Sequence, residues 1–247
     1  MDALRLEHIS FSYEEGNPIF EDVNLCLRYG DFVLLSGVSG EGKSTLLSIL
    51  NGMIPFITPG TLSGKVWMND QEVTDVKVSE RAKLLGTVLQ NADEQIVYDE
   101  VRDEIAFGCE NLDIPVAEID RRIAASTAQM KLNPDAKTRT LSGGQKQRLI
   151  TASTLAMQQK IIILDEPLAN LDVEGAHVLL KALQHLAEDG YAVLLVEHRL
   201  DVVLPYVNKV MWIKDCKVQS STDKKDITRF EKVIPAESRE SDKRHPS

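Results

Sequence analysis

The amino-acid sequence predicts an α/β fold: a mainly parallel sheet with helices, an N-terminal antiparallel β subdomain and an inserted helical subdomain. Three features of the sequence indicate this fold. Apolar and polar residues alternate near the N-terminus, a glycine-rich loop separates a predicted strand from a predicted helix, and strands and helices alternate in the later half. The last of these features is typical of a parallel sheet that is covered by helices.

The N-terminal segment is rich in predicted strands. Residues 4–13 and 23–27 alternate apolar and polar side chains, and residues 32–35 form a short apolar run, so three strands are predicted. Residues 44–51 have the apolar spacing of a helix, and residues 64–68 indicate a further strand. The first helix therefore follows a strand and a loop directly, as in a strand–loop–helix unit.

The middle of the chain is mainly helical. A strand is predicted at residues 84–89, and helices are predicted at residues 101–109 and 116–130. The second helix has Pro115 at its start, where the missing N–H of proline costs nothing. We therefore expect an inserted helical subdomain at about residues 91–158.

The later half of the chain alternates helices and strands. A helix follows Ser142, and the next elements are a strand at 161–164, a helix at 174–188 and a strand at 192–196. Together with the N-terminal elements, they predict one domain over residues 1–219.

The composition excludes several classes of function. The 28 Lys and Arg residues against 38 Asp and Glu residues give a formal charge of −10, so no nucleic-acid partner is expected. We find no apolar run near the roughly 18 residues that cross a bilayer and no secretory signal pattern, which predicts a cytoplasmic location. Cys26, Cys109 and Cys216 lie far apart and indicate neither a disulfide framework nor a metal site. Residues 220–247 hold 13 charged residues in 28, which predicts a polar segment that is either a mobile tail or a loosely docked appendage.

A glycine-rich sequence, GVSGEGKST at residues 37–45, matches the phosphate-binding pattern G-x-x-x-x-G-K-[ST], known as Walker A. Its backbone N–H groups can converge on phosphate oxygens, and the following helix N-terminus adds partial positive charge. Lys43 would reach the β- and γ-phosphates, and Ser44 would ligate Mg²⁺. A plain glycine turn would need neither residue. Glu41 is unfavourable near phosphates unless its side chain points to solvent. The predicted nucleotide-binding residues of the loop are Gly37, Ser39, Gly40, Glu41, Gly42, Lys43, Ser44 and Thr45.

Two carboxylates follow the apolar strand predicted at residues 161–164. Asp165 and Glu166 would lie at the carboxyl edge of a buried sheet, which is where α/β proteins bind ligands. We assign Asp165 to Mg²⁺ and Glu166 to the attacking water as general base. Without the phosphate-binding loop, a strand that merely leaves the core would be the favoured interpretation.

The sequence LSGGQ at residues 141–145 precedes another predicted helix. Ser142 can cap this helix, while Gly143 and Gly144 allow the backbone to approach an anion closely. A plain helix cap would need Ser142 and little more. We therefore predict a second phosphate-binding helix end, formed by Ser142, Gly143, Gly144 and Gln145.

These three motifs, in this order, resemble the ABC-transporter ATPase family, and the resemblance runs from the first strand to about residue 213. It implies a P-loop NTPase core that binds ATP and Mg²⁺. In that family two ATPase domains pack head to tail, and each ATP lies between the phosphate-binding loop of one domain and the LSGGQ segment of the other. The resemblance thus implies a second ABC ATPase subunit, either an identical chain or a paralogue.

The same resemblance implies roles for four further residues. Tyr13 resembles the aromatic residue that stacks on adenine, although a core aromatic is an equally good interpretation. Gln90 resembles the glutamine that touches Mg²⁺ and water, and His198 resembles the switch histidine at the γ-phosphate. Asp172 resembles the aspartate of the loop that crosses the dimer interface, where Ala169 replaces the more common Ser or Gly.

A narrower resemblance concerns residues 90–96, 106–112 and 197–199, which look like those of energy-coupling-factor importers for vitamins and transition metals. It implies a groove that receives a coupling helix of a transmembrane scaffold protein, and a small substrate-binding membrane protein as a further partner. The location would be the cytoplasmic face of the membrane. An ABC exporter subunit is the alternative, and a soluble ABC ATPase acting on DNA or ribosomes is a weaker one.

Overall fold

The structure is a computed structural model that describes residues 1–13, 16–223 and 226, and two β-sheets organise this part of the chain. The strands are β1 (Asp2–Ser12), β2 (Phe20–Arg28), β3 (Phe32–Ser36), β4 (Thr61–Met68), β5 (Gln71–Glu72), β6 (Leu85–Val88), β7 (Ile161–Asp165), β8 (Ala192–Val196), β9 (Lys209–Lys214) and β10 (Lys217–Ser221). One sheet has the strand order β2-β1-β4-β5, and the other has the order β10-β9-β3-β8-β7-β6.

The first sheet is antiparallel and contains the N-terminal strands. β1 pairs with β2 and β4, so that Leu6 lies opposite both Leu25 and Val66. These three side chains are buried, whereas Asn24 beside Leu25 is exposed and Cys26 on its other side is half-buried. The alternation therefore places one face of the sheet on the core, as predicted for the antiparallel β subdomain.

The second sheet is parallel except for β10. β3 lies between β8 and β9, and β7 joins β8 to β6. The three central strands read FVLLS, IIILD and AVLLV, and their apolar residues are buried on both faces of the sheet. Such continuous apolar strands are typical of parallel sheets that are covered on both sides.

Helices cover one face of the parallel sheet, and α1 with the antiparallel sheet covers the other. Phe32 and Leu34 face the larger helical cluster, whereas Val33 and Leu35 face the cluster that contains α1. The helices are α1 (Lys43–Asn51), α2 (Met53–Phe56), α3 (Val78–Arg81), α4 (Val101–Glu110), α5 (Val116–Gln129), α6 (Gly143–Met157), α7 (Val173–Glu188) and α8 (Leu200–Val203). α4, α5 and α6 fall in the range predicted for the helical subdomain. In the described residues no helix is both long and apolar enough to cross a membrane.

The C-terminal end of the sheet was not predicted from the sequence. β9 and β10 follow β8, so the strand before His198 is not the last one of the sheet. β9 has lysine at both ends and lacks the continuous apolar run of the central strands, and it is held by pairing with the distant β3. Ser220 and Ser221 belong to β10 rather than to the predicted tail. The rest of that tail lies outside the described residues, except for positions 222, 223 and 226.

Candidate nucleotide-binding site

The phosphate-binding loop and the three predicted catalytic residues follow the carboxyl ends of four strands in the same parallel sheet. Leu35 of β3 lies opposite Val196 of β8, and Asp165 of β7 lies opposite Val196 on the other side. The phosphate-binding loop follows β3, Glu166 follows β7, and His198 lies two residues beyond β8. Gln90 lies two residues beyond β6, which pairs with β7. The parallel register therefore brings these residues to one edge of the sheet.

The phosphate-binding loop requires glycine at its end. Gly42 has a φ of 100°, a left-handed conformation that favours glycine, and it directly precedes α1. A Cβ at this position would lie 2.6 Å from Cγ2 of Ile19 and 3.0 Å from Cζ of Phe20. The last glycine of the pattern is therefore needed for both the turn and the close packing of the loop against the N-terminal segment.

The side chain of Lys43, the first residue of α1, lies within the curve of the phosphate-binding loop. Its Nζ donates hydrogen bonds to the carbonyl oxygens of Gly37 at 2.9 Å and Val38 at 3.0 Å. Burial lowers the pKa of Lys43, although the nearby carboxylates of Glu166, Glu41 and Asp165 act in the opposite direction. A buried ammonium held by two neutral carbonyls favours an additional anionic partner, which a phosphate group would provide.

The side chain of Glu41 turns towards the phosphate-binding loop and not fully to solvent. Its Oε2 accepts a hydrogen bond from the backbone N–H of Val38 at 2.9 Å, and the residue is half-buried. The carboxylate is therefore turned back over the loop. The physical reason is that the strongly curved loop leaves the N–H of Val38 without a helical or sheet partner, and a carboxylate is a strong acceptor for it.

Glu166 lies between the other two predicted catalytic residues. Its Oε1 is 3.0 Å from Nε2 of His198, and its Oε2 accepts a hydrogen bond from Nε2 of Gln90 at 2.9 Å. The hydrogen bond with His198 lowers the pKa of Glu166, and burial only partly opposes this effect. The side chain is therefore ionised at neutral pH, as a general base must be. Its φ of 46° is uncommon for a residue other than glycine and is of the kind that clusters at functional sites.

The predicted Mg²⁺ ligands supply the oxygen atoms that this ion prefers. Asp165 provides a carboxylate, Ser44 a hydroxyl and Gln90 an amide oxygen, and Mg²⁺ commonly binds to a protein through few such groups together with nucleotide phosphates. Burial and the charge of Glu166 raise the pKa of Asp165. A bound cation would relieve this unfavourable burial of negative charge, so the residues fit the predicted ion.

The LSGGQ segment forms the start of α6 and lines a second, open cleft of about 410 Å³. The Oγ of Ser142 accepts a hydrogen bond from the backbone N–H of Gln145 at 3.3 Å, and Oε1 of Gln145 accepts one from the N–H of Ser142 at 2.9 Å. This reciprocal pair is a capping box, which the sequence pattern S-x-x-Q could have indicated. The cleft is lined by Ser142, Gly143, Gly144, Gln145, Arg148, Asn170, Leu171 and Asp172, and not by the phosphate-binding loop.

Asp172 and Tyr13 each have a clear structural role within the chain. Asp172 caps α7, because its Oδ1 accepts a hydrogen bond from the backbone N–H of Gly175 at 2.7 Å. The hydroxyl of Tyr13 lies 2.9 Å from Oγ1 of Thr45, which places an exposed aromatic ring beside the phosphate-binding loop. Adenine stacking by Tyr13 and a position of Asp172 at a dimer interface stay predictions.

Comparison with known proteins identifies the family of the chain. The family model described as ABC transporter matches residues 20–169, which is more than half of the chain. The chain belongs to this family. An ABC transporter ATP-binding protein, provisionally so named, from Methanosarcina mazei is 40% identical over 222 residues, covering 88% of this chain and 38% of that protein. A Bacillus subtilis protein with the provisional name HMP/thiamine import ATP-binding protein YkoD is 40% identical over 215 residues, covering 85% of this chain and 39% of that protein. The chain thus spans about two fifths of the length of these curated relatives.

Solved structures of ABC proteins have the same fold. The structure of cbiO1 from Clostridium perfringens, described as part of the transporter complex cbiONQ, matches with a TM-score of 0.80 and 26% identity, covering 94% of this chain and 93% of that one. The ABC transporter cassette MJ0796 in a post-hydrolysis state with ADP and Pi matches with a TM-score of 0.76 and 26% identity, covering 89% of this chain and 98% of that one. The predicted family, the α/β fold and the enzyme class of an ABC-type ATPase are therefore confirmed.

Proposed function

We propose that this chain is the ATP-hydrolysing energy-coupling subunit of an ABC importer for a vitamin or a transition-metal ion. The observation that carries the catalytic part is the position of Glu166 between Gln90 and His198, at the sheet edge that also holds Lys43. The import part rests on the relatives, since YkoD is named for HMP/thiamine import and cbiO1 is described as part of cbiONQ.

The proposed reaction is attack of water on the γ-phosphorus of ATP. Lys43 and the N–H groups of the loop would hold the phosphates, and Glu166 would orient the water and accept its proton. The new bond joins the water oxygen to phosphorus, and the bond from phosphorus to the bridging oxygen of ADP breaks. His198 holds Glu166 from one side and would contact the γ-phosphate. Mg²⁺, when bound, would supply positive charge next to the phosphates.

A head-to-tail dimer would complete each site. In one chain the LSGGQ cleft is lined by residues other than those of the phosphate-binding loop, so two copies are needed to bring the two kinds of phosphate-binding surface together. A structure of MJ0796, 25% identical to this chain, is described as dimeric. The partner in the proposed dimer is a second ABC ATPase subunit, either identical or a paralogue.

A groove beside the helical subdomain is the proposed contact for the transmembrane scaffold protein. It consists of two adjoining clefts of about 290 and 320 Å³, which share Ala82, Thr87, Gln95 and Met157. Most of the exposed lining is apolar. Such a lining fits a short apolar helix of the scaffold protein. With that helix bound, the chain would lie at the cytoplasmic face of the membrane.

Gln95 connects this groove to the catalytic residues. Its Oε1 accepts a hydrogen bond from the backbone N–H of Leu89 at 2.8 Å, and Leu89 directly precedes Gln90. An occupant of the groove that moves Gln95 would therefore move the backbone next to Gln90, which contacts Glu166. In this way the membrane partner would respond to the state of the nucleotide, and ATP-driven closure of the dimer would move the partner in turn.

Isolation of the chain from detergent-treated membranes, with a tag on its N-terminus, tests the transport proposal. We expect a transmembrane scaffold and a small substrate-binding membrane protein to copurify. Substituting Ala82→Glu places a charge in the groove without touching the catalytic residues, so it should reduce copurification while ATP turnover of the isolated chain is maintained. Copurification of ribosomes or DNA repair proteins instead would contradict the proposal, and a fused pair of transmembrane domains alone would favour an exporter.

A further inference from the structure

A buried carboxylate lies immediately before the predicted switch histidine. Glu197 follows β8 directly and is only 3% exposed. Its Oε1 accepts a hydrogen bond from the backbone N–H of Leu168 at 2.9 Å, and its Oε2 accepts one from the N–H of His198 at 3.0 Å. A longer contact of 3.4 Å joins Oε2 to the N–H of Arg199. One side chain therefore holds the backbone of two separate loops.

Arg199 makes a second connection between the same loops. Its Nη1 donates hydrogen bonds to the carbonyl oxygens of Leu168 at 3.2 Å and Leu171 at 3.4 Å. The N–H of Leu168 is thus bound by Glu197 and its carbonyl by Arg199. The backbone of residues 168–171, which lead to Asp172, is therefore hydrogen-bonded through both N–H and carbonyl groups to the segment that carries His198.

The loop fastened in this way packs directly against the LSGGQ segment. A Cβ on Gly144 would lie 2.8 Å from the carbonyl oxygen of Asn170, and a Cβ on Gly143 would lie 3.6 Å from Cβ of the same residue. A shift of the 168–171 loop would therefore displace the start of α6, because the carbonyl group and side chain of Asn170 pack closely against Gly143 and Gly144. Contacts run continuously from His198 through Glu197 to the LSGGQ cleft.

We infer that Glu197 is a positioning residue that keeps His198 and the 168–171 loop at a fixed distance and orientation. The hydrolytic site of a chain and its LSGGQ cleft would therefore move together. The inference rests on the proposed function, because it uses the roles proposed there for His198 and for the dimer. It means that closing of the LSGGQ cleft on a neighbouring chain's nucleotide also places His198 and Glu166 at the chain's own nucleotide. ATP hydrolysis at the two nucleotide sites of a dimer would then be coupled.

Glu197→Gln is the informative substitution, because it preserves the size of the side chain. One of its two acceptor oxygens becomes an NH₂ group, which faces a backbone N–H with another donor and must move away from it. A displacement of about 1 Å near a reacting group can cost about 100-fold in rate. We expect kcat to fall about 10- to 100-fold, while the affinity of the single chain for ATP changes less than about twofold because Lys43 and its loop are untouched.

A second measurement separates positioning from folding. In the slow-hydrolysing Glu166→Gln background, adding Glu197→Gln should weaken the ATP-bound dimer at least about fivefold in analytical ultracentrifugation, since the LSGGQ cleft loses its fixed place. Asp31→Asn is the matched control. Asp31 lies at the opposite edge of the sheet, where its Oδ2 accepts a hydrogen bond from the N–H of Arg28 at 2.9 Å. This control should lower thermal stability without changing kcat or dimerisation.

The outcomes distinguish failure of this inference from failure of the proposed function. If Glu166→Gln and His198→Ala lose turnover but Glu197→Gln does not, or if only one of kcat and dimerisation responds, the inference is wrong and the proposed function stands. If Glu166→Gln turns over normally, the proposed function is wrong. Should Glu197→Gln fail to fold, Glu197→Asp retains both acceptor oxygens on a shorter side chain and must show the same two effects in weaker form. Unchanged values in that variant would overturn the inference.

Discussion

Replacement of Glu166 by glutamine should remove catalysis and leave nucleotide binding intact. Glutamine is almost the same size as glutamate, and each of the two contacts of Glu166 has a neutral replacement. The amide oxygen can accept the hydrogen bond that Gln90 donates at 2.9 Å, and the amide nitrogen can donate to Nε2 of His198 at 3.0 Å. The geometry of the site should therefore survive, so that the change is confined to the chemistry.

The size of the effect follows from what the carboxylate supplies. The hydrogen bond with His198 lowers the pKa of Glu166, so the wild-type side chain is ionised and can accept a proton at neutral pH. An amide cannot, and loss of a positioned general base costs about 10²- to 10⁴-fold in rate. This range corresponds to about 2.7–5.4 kcal/mol of transition-state stabilisation.

Steady-state release of phosphate at saturating ATP measures this effect, and binding of a fluorescent ATP analogue measures affinity. We expect kcat to fall by the stated range while the dissociation constant changes less than about threefold. Glu166→Ala serves as the comparison, since it removes both contacts as well as the base. Turnover of Glu166→Gln within about tenfold of wild type would refute the assignment of Glu166 as the base.

Four further outcomes are expected. Lys43→Ala should weaken ATP binding about 10- to 150-fold, measured with the same analogue, because one charge-assisted hydrogen bond contributes about 1.5–3 kcal/mol. Gly144→Ala should leave binding of ATP by the single chain unchanged but reduce turnover about tenfold or more, because its Cβ would lie 2.8 Å from the carbonyl oxygen of Asn170. Arg81→Met should lower the free energy of unfolding in urea by at least about 3 kcal/mol, since it leaves the buried carbonyl oxygens that the guanidinium now binds without a donor. Chelation of Mg²⁺ should abolish turnover, and added Mg²⁺ should restore it without refolding.

The parts of the fold that follow from local pattern were predictable from the sequence. β3, β7 and β8 are uninterrupted apolar runs, which indicate buried strands of a parallel sheet. Lys43 and Glu166 could therefore be expected at the same edge of the sheet, because both follow the carboxyl ends of such strands. The capping box of Ser142 and Gln145 was also present in the local pattern, although Gln145 was predicted only as a nucleotide-binding residue.

The parts that depend on distant contacts were not predictable. β9 pairs with β3, which lies more than 170 residues earlier in the chain, as Leu34 opposite Val210 shows. The burial of Glu197 follows from where the loop after β7 turns, and no nearby residue marks it. The inward turn of Glu41 has the same kind of cause, since the free N–H of Val38 exists only in the folded loop.

The charges around Lys43 explain why nucleotide and metal should bind together at this site. Lys43 faces the carboxylates of Glu41, Asp165 and Glu166, and the N-terminus of α1 adds only about half a positive charge. Phosphates alone would therefore enter a region where negative charge already exceeds positive charge. A divalent cation beside Asp165 would reverse this balance, because it carries more charge than the lysine does. The same carboxylates that would disfavour free ATP would thus favour the magnesium nucleotide, and after hydrolysis their repulsion would favour release of phosphate.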